Sequence, residues 1–170
     1  HTRAVVKGQW QGIGPQDKLL LWGGGLWPWL DPITAIHAVG RVYAQRQDVR
    51  LIFPGAKHPN PKMAAMPTGL NEARRVAQEL GLLDKAVFFG DWVAYQDWAN
   101  LLLESDVALT LQFNTLETRL AFRSRVMEYI WAGLPMVATH GDATSDLVER
   151  YDLGVFVDYG DADEVSTAIC

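Results

Sequence analysis

The feature that most constrains the fold is a regular alternation between short apolar runs and longer amphipathic segments. Continuous apolar runs of this length are typical of strands buried on both faces of a parallel sheet. Strands that alternate with helices predict βαβ units with right-handed crossovers. The expected fold is therefore α/β, a doubly wound Rossmann-type parallel sheet of about six strands with helices on both faces. The predicted strands are Lys18–Trp22, Val49–Phe53, Ala86–Phe89, Asp106–Leu111, Pro135–Thr139 and Gly154–Val157.

Helix signals fill the intervals between these runs. Asp31 followed by Pro32 combines an N-cap residue with proline at the first helical position, and Gly81 is placed to end a helix. The intervals 56–68 and 112–120 are predicted as loops. The predicted helices cover residues 32–47, 69–80, 95–104, 121–132 and 144–150, and a further helix begins in the last residues.

Length and composition exclude several classes of protein. A chain of 170 residues predicts one domain, with residues 1–17 as a linker or N-terminal extension. The net charge of −5 argues against a nucleic-acid partner. Cys170 is the only cysteine and the four histidines lack ligand spacing, so neither a metal nor another cofactor is predicted. No apolar run approaches the ~20 residues of a transmembrane segment.

A ligand site is expected in the loops that follow the strands, because doubly wound sheets bind ligands beyond the carboxyl ends of their strands. Several of these loops carry glycine, aromatic or charged residues. The candidate segments are Gly23–Asp31, Pro54–Lys57, Gly90–Val93, Gln112–Arg125 and Thr139–Asp142.

Two arginines stand at the start of the helix predicted from about residue 121. Arg123 and Arg125 oppose the helix dipole there, and a bound anion such as a pyrophosphate would remove the conflict. The alternative is that both lie on a solvated face, with Arg125 paired to Glu128 three residues on. Both interpretations stay open, as does the possibility that only one arginine faces the site.

Glu128 lies outside the apolar stripe of this helix, which is formed by Phe122, Val126, Tyr129 and Ile130. A carboxylate accepts hydrogen bonds from two vicinal hydroxyls at once, which suits a ribose or sugar diol. The alternative is an ordinary solvated surface residue.

The loop after the first strand contains Gly23-Gly24-Gly25, which allows a ligand to approach the backbone closely. The spacing of a dinucleotide fingerprint is absent, which argues against an NAD-dependent enzyme. Trp27, Trp29 and Trp92 are candidates to stack on a base or a sugar ring. The alternative, which the sequence slightly favours, is that they form a hydrophobic contact with a missing partner domain.

Four segments, in this order, resemble the C-terminal nucleotide-sugar domain of group 1 glycosyltransferases, which have the GT-B fold. The resemblance extends over about residues 18 to 169. It rests on Leu51–Gly55, Gly81–Trp92, Ser105–Leu111 and Glu128–Thr139.

The resemblance implies a role for each segment of the site. Glu128 would bind the donor ribose, the turn of Gly23, Gly24 and Gly25 would lie against the phosphates, and Ser124 would belong to the same donor site. The nucleobase would lie on the backbone of the loop made by Gly90, Asp91, Trp92 and Val93.

The chain departs from the family in two places. Leu120 stands where the family has a second glutamate, eight residues before Glu128, and Glu117 is out of register with that position. The basic residues that usually follow the glycine turn are absent. We therefore expect Arg123 and Arg125 to supply charge that stabilises the leaving diphosphate.

The resemblance implies the donor half of a hexosyltransferase-like enzyme, retaining and metal-independent, with a nucleoside-diphosphate sugar as substrate. We expect the domain to be excised from a longer protein and inactive without its N-terminal acceptor domain. Polysaccharide biosynthesis in the cytoplasm, with the missing domain at the membrane face, follows from the family's habits. The alternative is a non-catalytic, degenerate glycosyltransferase-like scaffold, which Leu120 favours.

Overall fold

The computed structural model describes residues 3–56, 59–60, 62, 66 and 68–170, and within them it forms one six-stranded sheet in which every strand is parallel. The strand order is β3-β2-β1-β4-β5-β6, that of a doubly wound nucleotide-binding fold. The predicted fold class is confirmed. The strands are β1 (Lys18–Leu21), β2 (Val49–Phe53), β3 (Val87–Phe89), β4 (Val107–Thr110), β5 (Met136–Thr139) and β6 (Gly154–Val157).

Helices cover both faces of the sheet. Successive residues of each strand point to opposite faces, so β1 sends Leu20 into one apolar cluster and Leu19 and Leu21 into the other. The first cluster is covered by α1, α2 and α7, and the second by α3, α5 and α6. The described helices are α1 (Pro32–Gln45), α2 (Leu70–Glu79), α3 (Tyr95–Glu104), α4 (Leu116–Leu120), α5 (Ser124–Ala132), α6 (Ser145–Arg150) and α7 (Ala162–Ile169).

The helix signals in the sequence correspond to real caps. The Asp31 carboxylate accepts a hydrogen bond from the amide of Thr34, 3.0 Å away, at the start of α1. Gly81 follows the end of α2 with a φ of 66°, a conformation that glycine adopts without strain. Lys57 and much of the loop predicted over 56–68 lie outside the described residues.

The segment between β4 and α5 differs from its prediction. Residues 112–120 were expected to be a loop, but Thr115 caps the short helix α4 by accepting from the amide of Thr118. Ala121 then adopts an extended conformation, so α5 begins at Ser124 rather than near residue 121. Five helical residues are too few to show a helical period, which explains why the sequence pattern missed α4.

Fewer residues of the apolar stripe predicted for α5 are buried than expected. Val126 and Tyr129 are buried, whereas Phe122 and Ile130 are exposed. Phe122 precedes the first helical residue and therefore does not share the face of the other three.

Residues 3–17 pack on the domain rather than forming a linker. Val6 and Ile13 are buried in the cluster that also holds α3 and α5. The Glu104 carboxylate accepts hydrogen bonds from the amides of Val5, Val6 and Lys7, the shortest being 2.7 Å. The last residue of α3 therefore anchors this segment.

Replacing Glu104 with alanine is expected to lower the free energy of unfolding by about 1–2 kcal/mol, because it leaves partly buried amides without an acceptor. Chemical denaturation followed by tryptophan fluorescence measures the change. Glu79→Ala is the control, since Glu79 forms only an exposed pair with Arg75 and should cost less than about 0.5 kcal/mol. Equal effects of the two substitutions would contradict the anchoring role.

Candidate functional site

A cleft of about 390 Å³ opens at the carboxyl ends of β1, β2 and β3 and beside the first turns of α5. Its position is the one expected for a ligand in a sheet of this strand order. Eight of the predicted site residues line it together. They are Gly23, Gly24, Gly25, Trp92, Val93, Ser124, Arg125 and Glu128.

The glycine turn after β1 is packed closely against α5. The Gly23 amide donates to the Tyr129 hydroxyl over 3.0 Å, and a Cβ on Gly23 would lie 2.4 Å from that oxygen. Gly24 has a φ of 130°, and a Cβ there would lie 3.0 Å from Nη2 of Arg125. The turn therefore needs glycine at both positions to lie this close to α5.

Arg125 forms no ion pair among the described residues, although the charges of Glu128 and Asp142 favour its cationic form. Its Nη1 atom is buried and has no hydrogen-bond partner, and no carboxylate among the described residues forms an ion pair with it. Burial holds the pKa of its guanidinium below the usual value, and nearby Arg123 acts in the same direction. The surface pair with Glu128, the alternative in the sequence analysis, is absent. A partly buried cation with an unpartnered nitrogen, beside a glycine turn and a helix N-terminus, is an arrangement that suits an anion.

Arg123, which was expected to bind the phosphates, does not line the cleft. The residue is buried, its Nε donates to Gln112 over 2.6 Å, and Nη1 and Nη2 donate to the two carboxylate oxygens of Glu117 over 2.9 and 2.7 Å. Each guanidinium nitrogen is thus already engaged. The two arginines are only two residues apart, but Arg123 is the N-cap residue of α5 and Arg125 is its second helical residue, and only Arg125 lines the cleft.

A buried polar network continues from Arg123. Gln112 donates over 2.7 Å to Asp142, whose other oxygen accepts from the amide and hydroxyl of Thr144. The network joins the residues that follow β4 and β5 to the residue that precedes α5. It therefore fixes the position of the α5 N-terminus, from which Arg125 enters the cleft.

Glu128 lines the cleft one turn further along α5. The indole Nε1 of Trp98 on α3 donates to its Oε2 over 3.0 Å. Trp98 and Tyr95 also line the cleft. Sequence reasoning missed both, since α3 carries no motif; the position of α3 directly after the loop 90–93 was the only signal.

Gly90 and Asp91 do not line this cleft. They border a second cavity of about 590 Å³, together with Trp10 and Arg74, while Trp92 and Val93 border both cavities. Backbone hydrogen bonds from Gly55 to Asp91 and from Ala56 to Gly90 hold the loop against the end of β2. A Cβ on Gly90 would lie 2.0 Å from the ring of Trp10, so this position is closed by the N-terminal segment.

Of the other residues singled out in the sequence, some line the cleft and others lie outside it. Trp27 lines the cleft beside Gly25 and stacks on Trp29, with ring centroids 5.8 Å apart. Leu120 is 78% exposed and lies outside the cleft. Glu117, bound to Arg123, does not replace the missing family glutamate. Among the described residues, no three His, Cys, Asp or Glu side chains are grouped so that they could hold a metal ion, and no helix is long and apolar enough to cross a membrane.

Comparison with known families decides the classification. The family model described as "Glycosyl transferases group 1" matches residues 17–170. The chain belongs to this family. No curated protein sequence matches this glycosyltransferase domain significantly.

Solved glycosyltransferases share the fold. WaaG, a glycosyltransferase involved in lipopolysaccharide biosynthesis, aligns with a TM-score of 0.72 at 19% identity over 93% of this chain and 38% of that chain. Anabaena HepE, solved in complex with UDP and glucose, aligns with a TM-score of 0.70 at 22% identity over 90% of this chain and 38% of that chain. The glycosyltransferase domain therefore spans well under half the length of these two relatives.

A third structure resembles this chain over most of its own length. The C-terminal domain of LpcC, a group 1 family protein from Francisella tularensis, aligns with a TM-score of 0.68 at 13% identity. The match covers 89% of this chain and 73% of that one. The resemblance to a C-terminal GT-B domain is confirmed at the level of the fold.

Proposed function

We propose that the cleft binds the nucleoside-diphosphate part of a nucleotide sugar and that the domain is the donor half of a glycosyltransferase. The observation that carries this proposal is the buried, unpartnered Nη1 of Arg125 beside the glycine turn. A buried cation is costly unless an anion compensates it, and the cleft is the side from which an anion can arrive.

The diphosphate fits between the glycine turn and the start of α5. Gly24 and Gly25 present backbone without side chains, and α5 directs the positive end of its dipole to the same place. Arg125 adds a guanidinium, which makes paired hydrogen bonds to phosphate oxygens, and Ser124 adds a hydroxyl. Charge held in this way stabilises the diphosphate as it leaves the sugar.

The nucleoside fits at the other end of the cleft. Glu128 offers carboxylate oxygens to the ribose hydroxyls, and Trp92 and Val93 form the wall on which the base would lie. A diphosphate at Arg125 and a ribose at Glu128 are consistent with the spacing of these residues, since they lie one helical turn apart on α5. The UDP bound to HepE makes a nucleotide of this kind a reasonable first probe.

Transfer requires more than this domain. We propose that the rest of the chain supplies the acceptor site, as the length of the relatives suggests, and that the 170 residues alone give no sugar transfer. A retaining, metal-independent reaction in cytoplasmic polysaccharide biosynthesis belongs to the same proposal.

A non-catalytic scaffold is the second candidate, and one observation favours it. Glu128 is the only carboxylate that lines the described cleft, because Leu120 replaces the family glutamate and Glu117 is bound to Arg123. The two candidates differ in sugar transfer by the chain extended with its acceptor domain: only the enzyme releases nucleoside diphosphate.

Calorimetric titration with UDP, GDP, ADP and dTDP, without metal, tests the proposal. One of them should bind with a micromolar to millimolar dissociation constant. Glu128→Ala should weaken that binding about 10- to 30-fold, since it removes hydrogen bonds to a charged acceptor. Glu149→Ala, on the exposed face of α6, is the matched control and should leave it unchanged. No binding by any nucleotide to the folded protein would refute the proposal.

A further inference from the structure

We infer that Trp98 is a positioning residue that fixes the Glu128 carboxylate for recognition of the ribose. The inference rests on the proposed function and adds a determinant of ribose recognition to it. Trp98 acts through Glu128, and its indole N–H is the group responsible.

One hydrogen bond restrains the orientation of the Glu128 carboxylate. Glu128 is exposed, and a glutamate in that setting ordinarily samples several rotamers. The Trp98 Nε1 donates to Oε2 over 3.0 Å, and no other hydrogen bond to this carboxylate is found among the described residues. The remaining oxygen, Oε1, accepts no hydrogen bond among the described residues, so its acceptor capacity is unused in this residue that lines the cleft.

Trp98 is itself held in place by the fold. It is half-buried against the apolar cluster between α3 and α5, next to Leu101 and Leu102, which are buried. Glu104 at the end of the same helix is bound by the N-terminal segment. A rigid ring with one donor atom therefore restrains a flexible carboxylate, which lowers the entropy that a ligand must otherwise remove.

The position of Trp98 also joins two parts of the proposed nucleoside site. Helix α3 begins at Tyr95, directly after the loop that contains Trp92 and Val93. The wall proposed for the base and the residue that orients Glu128 thus belong to one continuous segment. The relative positions of the groups proposed to contact the base and the ribose therefore depend on α3 as well as on α5.

The test compares Trp98→Phe with the control Trp131→Phe. Phenylalanine keeps an aromatic ring at position 98 but removes the N–H donor. Trp131 lies on α5, is 64% exposed and does not line the cleft. Thermal unfolding of both variants establishes that they are folded before binding is measured.

The readout is the ratio of dissociation constants for the nucleotide that binds best and for its analogue without the 3′-hydroxyl. In the unmodified protein the dissociation constant of the analogue should be about tenfold higher than that of the parent nucleotide. Trp98→Phe should weaken binding of the parent nucleotide about three- to tenfold and binding of the analogue less than twofold. The protein would then no longer distinguish clearly between the two ligands. Adding Glu128→Gln to Trp98→Phe should then cause little further loss, because both substitutions act on the same contact.

Two results would overturn the inference. Unchanged discrimination in Trp98→Phe would show that the N–H does not orient Glu128. Equal weakening of both ligands would assign Trp98 to direct contact with the base. Failure of the unmodified protein to bind any nucleotide is a distinguishable third result: it refutes the proposed function, and the inference that rests on it is overturned as well.

Discussion

Replacing Arg125 with methionine is expected to weaken nucleoside-diphosphate binding about 100-fold or more, since charge-assisted hydrogen bonds contribute about 1.5–3 kcal/mol each and at least two are lost. The same substitution should make the ligand-free protein more stable by about 0.5–1 kcal/mol, because it removes a partly buried cation whose Nη1 has no hydrogen-bond partner. Loss of binding with a gain in stability is characteristic of a residue retained for its ligand.

Calorimetry of the ligand and denaturant unfolding of the free protein measure the two effects. Arg119→Met is the control for loss of a positive charge near the site, since Arg119 is exposed on α4 and outside the cleft. Ligand affinity should also fall with salt in the unmodified protein and less steeply in Arg125→Met. Lower stability of Arg125→Met with unchanged affinity would show that Arg125 is structural and would remove the main support for the proposed function.

The layout of the sheet was predictable because the strands are short and mostly apolar. Runs of this kind that alternate with helices favour a parallel sheet, and β2, β6 and α3 have the predicted bounds. The path from β4 to α5 was not predictable in the same way. It is held by hydrogen bonds between side chains that are distant in sequence, such as Gln112 and Asp142. The local periodicity of apolar residues contains no information about such contacts.

The predictable site residues are those whose positions follow from the secondary structure alone. The glycine turn and Glu128 were predicted as site residues, and the structure brings them together, because they occupy the end of a strand and the first turns of a helix. The separate contacts of Arg123 and Arg125 depend on where α5 begins, because Arg123 precedes the helix and Arg125 lies in its first turn. Sequence spacing alone does not encode that boundary, which is why both arginines were given the same role.

The two arginines differ in what they contact around Leu120. Glu117 lies three residues earlier on the same short helix and is held by Arg123 in a bidentate pair. The carboxylate near the β4 loop is therefore used to position α5, while Arg125 lines the cleft. The proposed function accordingly assigns recognition of the donor to its diphosphate and ribose more than to a carboxylate at the sugar.

Replacing Arg123 with alanine is expected to lower the free energy of unfolding by about 2–4 kcal/mol, somewhat less than the cost of breaking a fully buried ion pair. The substitution leaves the buried Gln112 without its donor and Glu117 without its partner. Glu117 is 39% exposed and regains some hydration, which moderates the loss. Arg123→Lys should restore little, because an ammonium cannot make the paired contact to the carboxylate while it also reaches Gln112.

Denaturant unfolding of Arg123→Ala, Glu117→Ala and the double variant measures the pair directly. The double variant should be more stable than the sum of the two losses predicts, by about 1 kcal/mol or more, because the second substitution removes a group already unpaired. Nucleotide affinity, measured where Arg123→Ala is still folded, should fall far less than in Arg125→Met. A variant at Arg123 with normal stability and no diphosphate binding would reverse this assignment: Arg123 would then be the phosphate ligand, and its contacts with Glu117 and Gln112 would have to open when the nucleotide binds.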